Sequence, residues 1–407
     1  MKRIFTLCFV ILSFQLQAQT FTNYTTAEGL INNSVICLAI DSNDNIWFGT
    51  QEGISFFDGT NWTNYDVNSH PDLVNNTITA LKVDSDNNLW VGTDFGVNKF
   101  DGNNWTTYTE ADGLADDRIK YINQDDNGNI WFANNDGITI FDGSSWTSYT
   151  MADGLPFGGT NFVMFDSEGN AILGTPLGGV FIFDGTNFTA ITEDEGLLSD
   201  KVRSIAIDTN NQKWIGTADG ISVFDENNVF VTNHEFIFEL PPPDSLNPVE
   251  DIQIAADGRV WVGVYVDYLV TEGGISMLEG PNWEDYDVDD GLVGPVVRRL
   301  AIDSQDNIWV ATSTGVSKIG DLPIPTVEIE IYNAIQLYPN PTNGFVTLKV
   351  PFDLLGTDYQ IFSSLGKRVK VGVVSNELTI LNLETLANGL YFLSIDNSYN
   401  KKIVIGK

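Results

Sequence analysis

The chain has 407 residues, 43% of them apolar, and a formal net charge of −35, which is enough for several domains with buried cores. A surface this acidic repels nucleic acid and anionic lipid at long range, which argues against a nucleic-acid-binding protein. The charge is uneven. Residues 332–407 carry seven Lys and Arg against five Asp and Glu, so the acidic excess lies in the middle of the chain.

The amino terminus has the features of a secretory signal peptide. Lys2 and Arg3 precede a short apolar run from Phe5 to Phe14, and a small residue, Ala18, marks a cleavage site. We expect residues 1–18 to be removed. The alternative, a membrane anchor, is less favoured because the apolar run is about half the length that a bilayer requires. No later stretch is apolar enough to span a membrane.

One ten-residue pattern, D-x-x-x-x-(I/L/V)-W-(F/V/I)-(G/A)-T, recurs seven times. Its Trp position returns at intervals of 43, 41, 41, 42, 47 and 48 residues. The residues at that position are Trp47, Trp90, Trp131, Ile172, Trp214, Trp261 and Trp309. A period in the low forties with four short strands per unit is typical of propeller blades. The sequence therefore predicts an all-β fold, a seven-bladed β-propeller.

The strands of one blade can be taken from the first unit. Strand A is predicted over Val35–Asp41, strand B over Ile46–Thr50, strand C over Ile54–Phe57 and strand D over Trp62–Tyr65. Three residues before the Trp position, every unit has Asp, Asn or Gly, the types that tolerate the positive φ of a tight hairpin. We assign the acid-rich A–B turns to this geometry rather than to calcium, because they lack a twelve-residue loop and its closing Glu.

The ends of the repeat region predict how the ring closes. The seventh unit stops at Gly320-Asp321 without a strand D, whereas the mature amino terminus begins with an isolated strand of that type, residues 21–24. We predict that this segment becomes the outer strand of the seventh blade, which removes an exposed edge. There are departures from the pattern: unit four has Ile172 for Trp, unit six has Ala255 for the Asp, and unit five lacks the FDG…W…Y ending.

The run NIWFGT…GI…FDG…W…Y resembles the two-component-regulator propeller repeat over roughly residues 20–321. The resemblance implies the propeller fold, which we place at residues 19–321, and says little about the ligand. In the best-known members of that family, paired propellers precede a kinase and sense glycans. This chain has one ring and no kinase, so the resemblance does not imply signalling.

A stiff linker, residues 322–331 with Pro323 and Pro325, leads to alternating apolar strands that predict a small Ig-like β-sandwich over 332–407. LYPNPTNG, LANGLYFLSI and the basic end resemble the type A sorting domain of the type IX secretion system. That resemblance implies contact with the secretion machinery, and a secreted or outer-surface location in a Gram-negative bacterium. The alternative is a carbohydrate-binding sandwich. The motif residues are Pro339, Asn340, Pro341, Gly344, Gly389 and Tyr391.

A ligand site is predicted where the inner strands of the ring begin. Aligned A strands place three basic pairs at one level, in units three, five and seven; they are Arg118 and Lys120, Lys201 and Arg203, and Arg298 and Arg299. At the mouth of the channel they would suit a carboxylated or sulfated glycan. The alternative is local charge balance with preceding acids, since surface ion pairs are common and weak.

Two insertions in unit six fall on the same face. One runs from about Phe236 to Asn247, and the other, VYVDYLVTEGG, carries Tyr265 and Tyr268. Long loops on a rigid ring often carry specificity, so these tyrosines are candidates for stacking on sugars. The alternative is a lid that contacts only itself.

The sequence offers little support for catalysis. The mature chain has two histidines, His70 and His234, which lack motif partners, and one cysteine, Cys37, which we predict to be a small buried core residue. No catalytic, metal or cofactor site is predicted. The leading hypothesis is a secreted module that binds an extracellular glycan or protein. The alternatives are a polysaccharide lyase or hydrolase, and a passive scaffold for protein partners.

Overall fold

The computed structural model divides the chain into two compact units, Met1–Leu322 and Pro323–Lys407. It describes residues 20–155, 158–238, 247–265, 273–279, 282–320, 335–351, 354–363, 367–376, 378–395 and 399–406. The predicted signal peptide and linker therefore lie outside the described residues. So do Tyr268 and most of the two unit-six insertions.

The first unit is a ring of seven four-stranded antiparallel sheets, as the repeat predicts. The strands of blades one to three are β2 Val35–Ile40, β3 Ile46–Thr50, β4 Ile54–Phe57 and β5 Trp62–Tyr65; β6 Ile78–Val83, β7 Leu89–Thr93, β8 Gly96–Phe100 and β9 Trp105–Tyr108; and β10 Ile119–Gln124, β11 Ile130–Asn134, β12 Gly137–Phe141 and β13 Trp146–Thr150. Blade four has β14 Phe162–Phe165, β15 Ala171–Gly174, β16 Val180–Phe183 and β17 Phe188–Ile191.

The remaining blades keep the same order. Blade five has β18 Val202–Ile207, β19 Lys213–Thr217, β20 Gly220–Phe224 and β21 Phe230–His234, and blade six has β22 Val249–Ile254, β23 Val260–Tyr265, β24 Gly273–Glu279 and β25 Asn282–Tyr286. Blade seven has β26 Val297–Ile302, β27 Ile308–Thr312, β28 Gly315–Gly320 and, as its outer strand, β1 Thr20–Tyr24. Two short 3-10 turns, Met151–Asp153 and Glu193–Glu195, precede blades four and five.

The first strands of the sheets form the inner wall of the ring. Each contacts the first strand of the next blade, and β26 contacts β2, so the circle is closed. Side chains of B strands are buried between blades. Gly49 shows how closely the next blade packs against this position, since a Cβ there would come within 2.7 Å of Ile78.

The A–B hairpins have the predicted backbone geometry in all seven units. The residue three before the Trp position has a positive φ throughout, at Asp44, Asn87, Gly128, Gly169, Asn211, Gly258 and Asp306. The acid that opens the hairpin holds the turn: Asp41 Oδ1 accepts the backbone N–H groups of Asn43 at 2.8 Å and Asn45 at 3.0 Å. The turn role predicted for these acids is confirmed.

The same acids have a second role that the sequence did not suggest. The indole Nε1 of Trp90 donates to Asp84 at 2.8 Å, and that of Trp309 donates to Asp303 at 3.0 Å. In blade six, Ala255 replaces the acid, and the fully buried Nε1 of Trp261 has no acceptor among the described residues. The departure in unit six therefore leaves an unsatisfied donor in the core.

In blade five the C–D turn lacks the FDG sequence, and a buried lysine is hydrogen-bonded to it. Lys213, at the start of β19, is fully buried, and its Nζ donates to the carbonyl oxygens of Glu226 at 3.0 Å and Asp225 at 3.4 Å. These carbonyls belong to the C–D turn, so Lys213 stabilises a turn that lacks the usual Asp-Gly sequence.

The predicted clasp at the ends of the ring is confirmed. β1 pairs with β28 along its whole length, from Thr20 opposite Gly320 to Tyr24 opposite Val316. The Tyr24 ring stacks on Trp309 with centroids 5.7 Å apart and contacts Phe57 of blade one at 5.3 Å. The amino terminus therefore joins blade seven to blade one through both backbone and aromatic contacts.

The second unit contains two antiparallel sheets around one apolar core. One sheet has the order β29 Gln336–Tyr338, β30 Phe345–Lys349 and β33 Leu378–Asn382. The other has the order β32 Arg368–Val373, β31 Asp358–Ser363, β34 Gly389–Ile395 and β35 Tyr399–Ile405.

An Ala255→Asp substitution is expected to stabilise the ring by about 1 kcal/mol, because it supplies the acceptor that Trp261 lacks. Denaturant unfolding followed by tryptophan fluorescence measures the change. Asp303→Ala is the reverse control and should cost about 2 kcal/mol by orphaning Trp309. A destabilising Ala255→Asp beside a strongly destabilising Asp303→Ala would contradict this account.

Truncating the clasp residue Tyr24 to Ala should lower the free energy of unfolding by about 2 kcal/mol, because its ring contacts two blades at once. Thermal unfolding monitored by circular dichroism tests this. Thr22→Ala, an exposed change in the same strand, should stay within about 0.5 kcal/mol of the unsubstituted protein. Equal effects of the two substitutions would show that the Tyr24 ring does not join the blades.

Candidate functional site

A β-bulge near the start of the inner strands determines where the predicted basic side chains lie. In six of the seven blades the register of the inner strand shifts after its first residue, which leaves one extra residue in that strand. A bulge re-aims the side chain of the extra residue and exempts it from the alternation of the strand. The extra residues are Ile36, Thr79, Lys120, Arg203, Glu250 and Arg298. Blade four pairs without a shift.

Several side chains at this level bind the next blade. Thr79 Oγ1 donates to the Ile119 carbonyl at 2.5 Å, and Asn161 Nδ2 donates to the Val202 carbonyl at 3.1 Å. Arg298 Nη1 donates to Ser34 Oγ at 3.0 Å and to the Val35 carbonyl at 3.3 Å, so it connects blade seven to blade one. Some of the polar side chains at the starts of the inner strands therefore hold neighbouring blades together.

The structure brings four of the six predicted basic residues together. Lys120, Lys201, Arg203 and Arg299 line one cavity of about 430 Å³ at the channel mouth, with Asn161, Phe162, Pro176, Val202 and Glu250. Arg203 forms a salt bridge with Glu250. Four positive side chains and one negative side chain give this cavity, which we call the basic mouth, a net charge of +3.

Two predicted residues lie outside the basic mouth. Arg118 is 56% exposed and forms a two-pronged pair with Asp116, with Nε 2.9 Å from Oδ1 and Nη2 2.5 Å from Oδ2. For this residue the geometry fits the local charge balance considered above. Arg298 is held between blades, and burial lowers its pKa. Tyr265, at the end of β23, is partly buried and lies close enough to interact electrostatically with Arg298.

The two lysines of the mouth differ in their surroundings. Lys120 Nζ donates to Asn161 Oδ1 at 3.2 Å, and burial lowers the pKa of its ammonium group. Lys201 is exposed and makes no ion pair with any residue that the structure describes. Its charge is therefore available to a ligand.

Arg299 is the most firmly positioned cation of the mouth. Its Nη1 donates to the backbone carbonyls of Arg298 at 2.8 Å and Glu250 at 3.1 Å. Its guanidinium lies over the Phe162 ring of blade four, 4.9 Å from the centroid. Within the described part of the chain, Nε and Nη2 have no acceptor. The open edge of a fixed guanidinium matches a planar carboxylate.

Below Arg299 the channel continues as a cavity of about 180 Å³ lined by Lys82, Tyr121, Asp251 and Gln253 among others. Asp251 is 4% exposed and accepts the Leu300 N–H at 2.8 Å. Burial raises the pKa of its carboxyl group, and the nearby Arg299 opposes that shift. Burial, with the charge of Asp251, raises the pKa of Tyr121 to about 12.

The opposite end of the channel is acidic. A third cavity, which shares Lys82 with the one above it, is lined by Asp41, Asp84, Asp125 and Asp126. Asp251, which lines the channel, was not among the site residues predicted from the sequence. Its signal was an acid in VEDIQI at the position that aligns with Cys37, Ala80, Tyr121, Ser204 and Arg299 of other units.

The histidines and the cysteine occupy packed positions. His234 stacks on Trp214 with centroids 5.6 Å apart and meets Trp283 edge-on at 5.5 Å, and burial lowers the pKa of its imidazole. The His70 ring lies 4.7 Å from Tyr65. Cys37 is buried, as predicted, and burial raises its thiol pKa to about 12, so it is not a nucleophile at neutral pH.

In the second unit, the predicted motif residues fix the PNPTNG segment to the final strand. Asn340 Nδ2 donates to the Lys402 carbonyl at 2.7 Å, and its Oδ1 accepts the Val404 N–H at 2.8 Å. Gly344 and Gly389 have φ of 140° and 154°, which favour glycine. The Tyr391 hydroxyl donates to the Ala387 carbonyl at 3.0 Å. Pro339 and Pro341 flank Asn340.

Comparison with known families identifies both parts of the chain. Residues 336–406 match the secretion system C-terminal sorting domain, and residues 29–52, 72–95 and 113–136 match the two component regulator propeller. The protein is therefore exported by the type IX secretion system to the outside or outer surface of a Bacteroidetes-type Gram-negative bacterium. Among the described residues, no helix is long and apolar enough to cross a membrane.

Proteins that are similar to this chain support the propeller fold but say little about the ligand. Beta-agarase A of Zobellia galactanivorans is 30% identical over 129 residues, which cover 30% of this chain and 23% of the agarase. The extracellular domain of a hybrid two component system of B. thetaiotaomicron has a TM-score of 0.63 and 20% identity, over 96% of this chain and 55% of that one. PorZ, a surface component of the type IX system of Porphyromonas gingivalis, has a TM-score of 0.57 and 16% identity, over 92% and 60%.

Asp251→Asn should stabilise the ring by about 1 kcal/mol at pH 7. The substitution replaces a buried carboxylate, which Arg299 and its hydrogen bonds compensate only in part, with a neutral amide that still accepts the Leu300 N–H. The folded pKa of Asp251 is raised, so the unsubstituted protein loses stability as pH rises above the ordinary Asp range near about 3.9. The gain should therefore be small at pH 4 and grow with pH in urea unfolding.

Exposed Asp58 is the matched control for this experiment. Hydrogen bonds from Asn61 lower its pKa, so Asp58→Asn should be destabilising at neutral pH and lose that effect as pH falls. The same pH trend for both substitutions would contradict the assignment of Asp251 as a buried, desolvated carboxyl group.

Proposed function

We propose that this exported propeller is a recognition module that binds an extracellular carbohydrate through an acidic group, at the basic mouth formed by Lys120, Lys201, Arg203 and Arg299. Delivery by the sorting domain supports an extracellular ligand. The net charge of +3 in a strongly acidic chain supports an anionic group, because a local cationic concavity attracts oxyanions that the rest of the surface repels.

The orientation of Arg299 carries this proposal. Two backbone carbonyls and the Phe162 ring fix its guanidinium, and the Nε–Nη2 edge remains open. A guanidinium held in place loses little conformational freedom when a carboxylate or sulfate binds, so more of the interaction energy becomes affinity. Exposed Lys201 adds a second charge at the same cavity.

A second candidate is a polysaccharide-degrading enzyme, which the partial similarity to a beta-agarase favours. The basic mouth gives this candidate less support. Hydrolysis with a carboxylate pair requires two acids that face the sugar. Among the described lining residues, Glu250 is the one acid, and it forms a salt bridge with Arg203.

Lys201→Glu and Arg299→Ala should each weaken binding of an acidic oligosaccharide by about tenfold, because each removes an oriented cation. Calorimetric titration of the mature chain against a panel of uronate-containing and sulfated oligosaccharides and polysaccharides measures this. The matched control is Lys99→Glu, which makes the same charge change on β8, where the lysine lies over Trp90 and away from the mouth. It should leave affinity within about twofold.

The same incubations separate the candidate functions. Binding without new products, lost on substitution at the mouth, supports recognition. New reducing ends or unsaturated uronates would favour the enzyme. If no carbohydrate binds, or if Lys99→Glu weakens binding as much as Lys201→Glu does, the basic mouth is not a carbohydrate site and the passive scaffold is the better account.

A further inference from the structure

Four of the turns that join the second and third strands of the blades carry an acid on the same face as the basic mouth. These acids are Glu52, Asp94, Asp136 and Asp219, in blades one, two, three and five, and we call them the acidic collar. The turns adjoin the starts of the inner strands through backbone hydrogen bonds. Ala218 N–H, beside Asp219, donates at 3.0 Å to the carbonyl of Lys201, a residue of the mouth. The collar and the mouth therefore belong to one face.

Blade four breaks the collar. Its corresponding turn, Pro176-Leu177-Gly178, has no charge and is one residue longer than the turn of blade one. Thr175 N–H donates to the Gly179 carbonyl, whereas in blade one Thr50 N–H donates to the Gly53 carbonyl. Pro176 lines the mouth, and Leu177 is 61% exposed. The turn of blade four itself is thus uncharged and apolar between the cavity and the surface, with the carboxylate of Asp200 near Gly179 at its end.

The corresponding turns of blades six and seven differ from that of blade four. In blade seven the turn residues Ser313 and Thr314 are also uncharged, but Thr314 Oγ1 is hydrogen-bonded to the Val293 carbonyl at 2.9 Å. The turn of blade six contains residues outside those described. Among the described turns, blade four alone combines an exposed apolar side chain with a residue of the cavity wall.

This arrangement discriminates between kinds of acidic carbohydrate. A polyanion that enters the mouth must lay further negative groups across the collar, where like charges repel them. A carbohydrate with one acidic group places that charge at the centre and only neutral sugar over the rim. The planar fork of Arg299 further favours a carboxylate.

We propose, on the basis of the function proposed above, that the ligand carries a single carboxylate on an otherwise neutral oligosaccharide. The carboxylate binds Arg299 between Lys120 and Lys201, and the neutral sugar leaves the mouth over Pro176 and Leu177. A monocarboxylate is attracted by the local charge of the mouth, so its affinity falls with salt. A polyanion is repelled by the collar, and salt screens that repulsion.

The test uses neutral gluco-, manno- and galacto-oligosaccharides oxidised to aldonates, each with one carboxylate, together with their uncharged parents and polygalacturonate. Binding to the mature chain is measured calorimetrically at 20 and 300 mM NaCl. At least one aldonate should bind about tenfold more tightly than its parent and lose affinity with salt. Polygalacturonate should bind more weakly per chain and gain affinity, or keep it, as salt rises.

Isosteric variants test the path over blade four. Leu177→Asp should weaken aldonate binding about fivefold relative to Leu177→Asn, because the two differ by one negative charge at the break in the collar. Asp219→Asn should strengthen polygalacturonate binding and leave aldonate binding within about twofold. Thermal midpoints of the variants, expected to match the parent protein, establish that the ring is intact.

Three outcomes would overturn the inference. Tighter, salt-weakened binding of polygalacturonate would leave the proposed function standing and reject the single carboxylate. Tight binding of a peptide through its terminal carboxylate, with no aldonate bound, would replace the carbohydrate with a protein partner. Binding of no acidic carbohydrate would reject both this inference and the proposed function.

Discussion

Ring closure by backbone pairing is the constraint on which the rest of the molecule depends. β1 pairs with β28 along its full length, and Tyr24 joins blade seven to blade one. Without this pairing β28 would present an open edge and no backbone pairing would join the two ends of the ring. Because the circle is closed, β26 contacts β2, and the starts of all seven inner strands lie at one level around a single channel. The channel, its mouth and the electrostatic difference between its two ends all follow from that shared level.

The polar side chains at the mouth have two kinds of partner, and the distinction decides what they can do. Arg298 and Asn161 donate to carbonyls of the next blade, and Arg203 pairs with Glu250, so these groups connect blades. Arg299 also donates to backbone, but through Nη1, and presents its other edge. A count of basic residues therefore overestimates the charge offered to a ligand. An account of each donor and its acceptor identifies Arg299 and Lys201 as the groups available.

Much of the fold was predictable because the repeat specifies it seven times. Turn residues with positive φ, such as Asp44 and Asn211, and the strand that closes the ring can be inferred from local chemistry and from the missing strand of the last unit. The site was less predictable because a bulge interrupts the two-residue alternation. Arg298 and Arg299 are adjacent in sequence, yet one binds the next blade while the other lies over Phe162. Asp251 was missed because its burial depends on neighbouring blades.

The bulge in the inner strands has a consequence for how such a protein can change over time. Its extra residue lies outside the ladder, so replacing that residue neither shifts the register nor removes a side chain from the core of its own sheet. Within this one chain the equivalent positions hold Ile36, Thr79, Lys120, Arg203, Glu250 and Arg298. The ring thus offers natural variation a circle of sites where single-codon changes can redirect recognition without shifting the register of a blade. At Thr79, Arg203 and Arg298 such a change also removes a contact with the next blade.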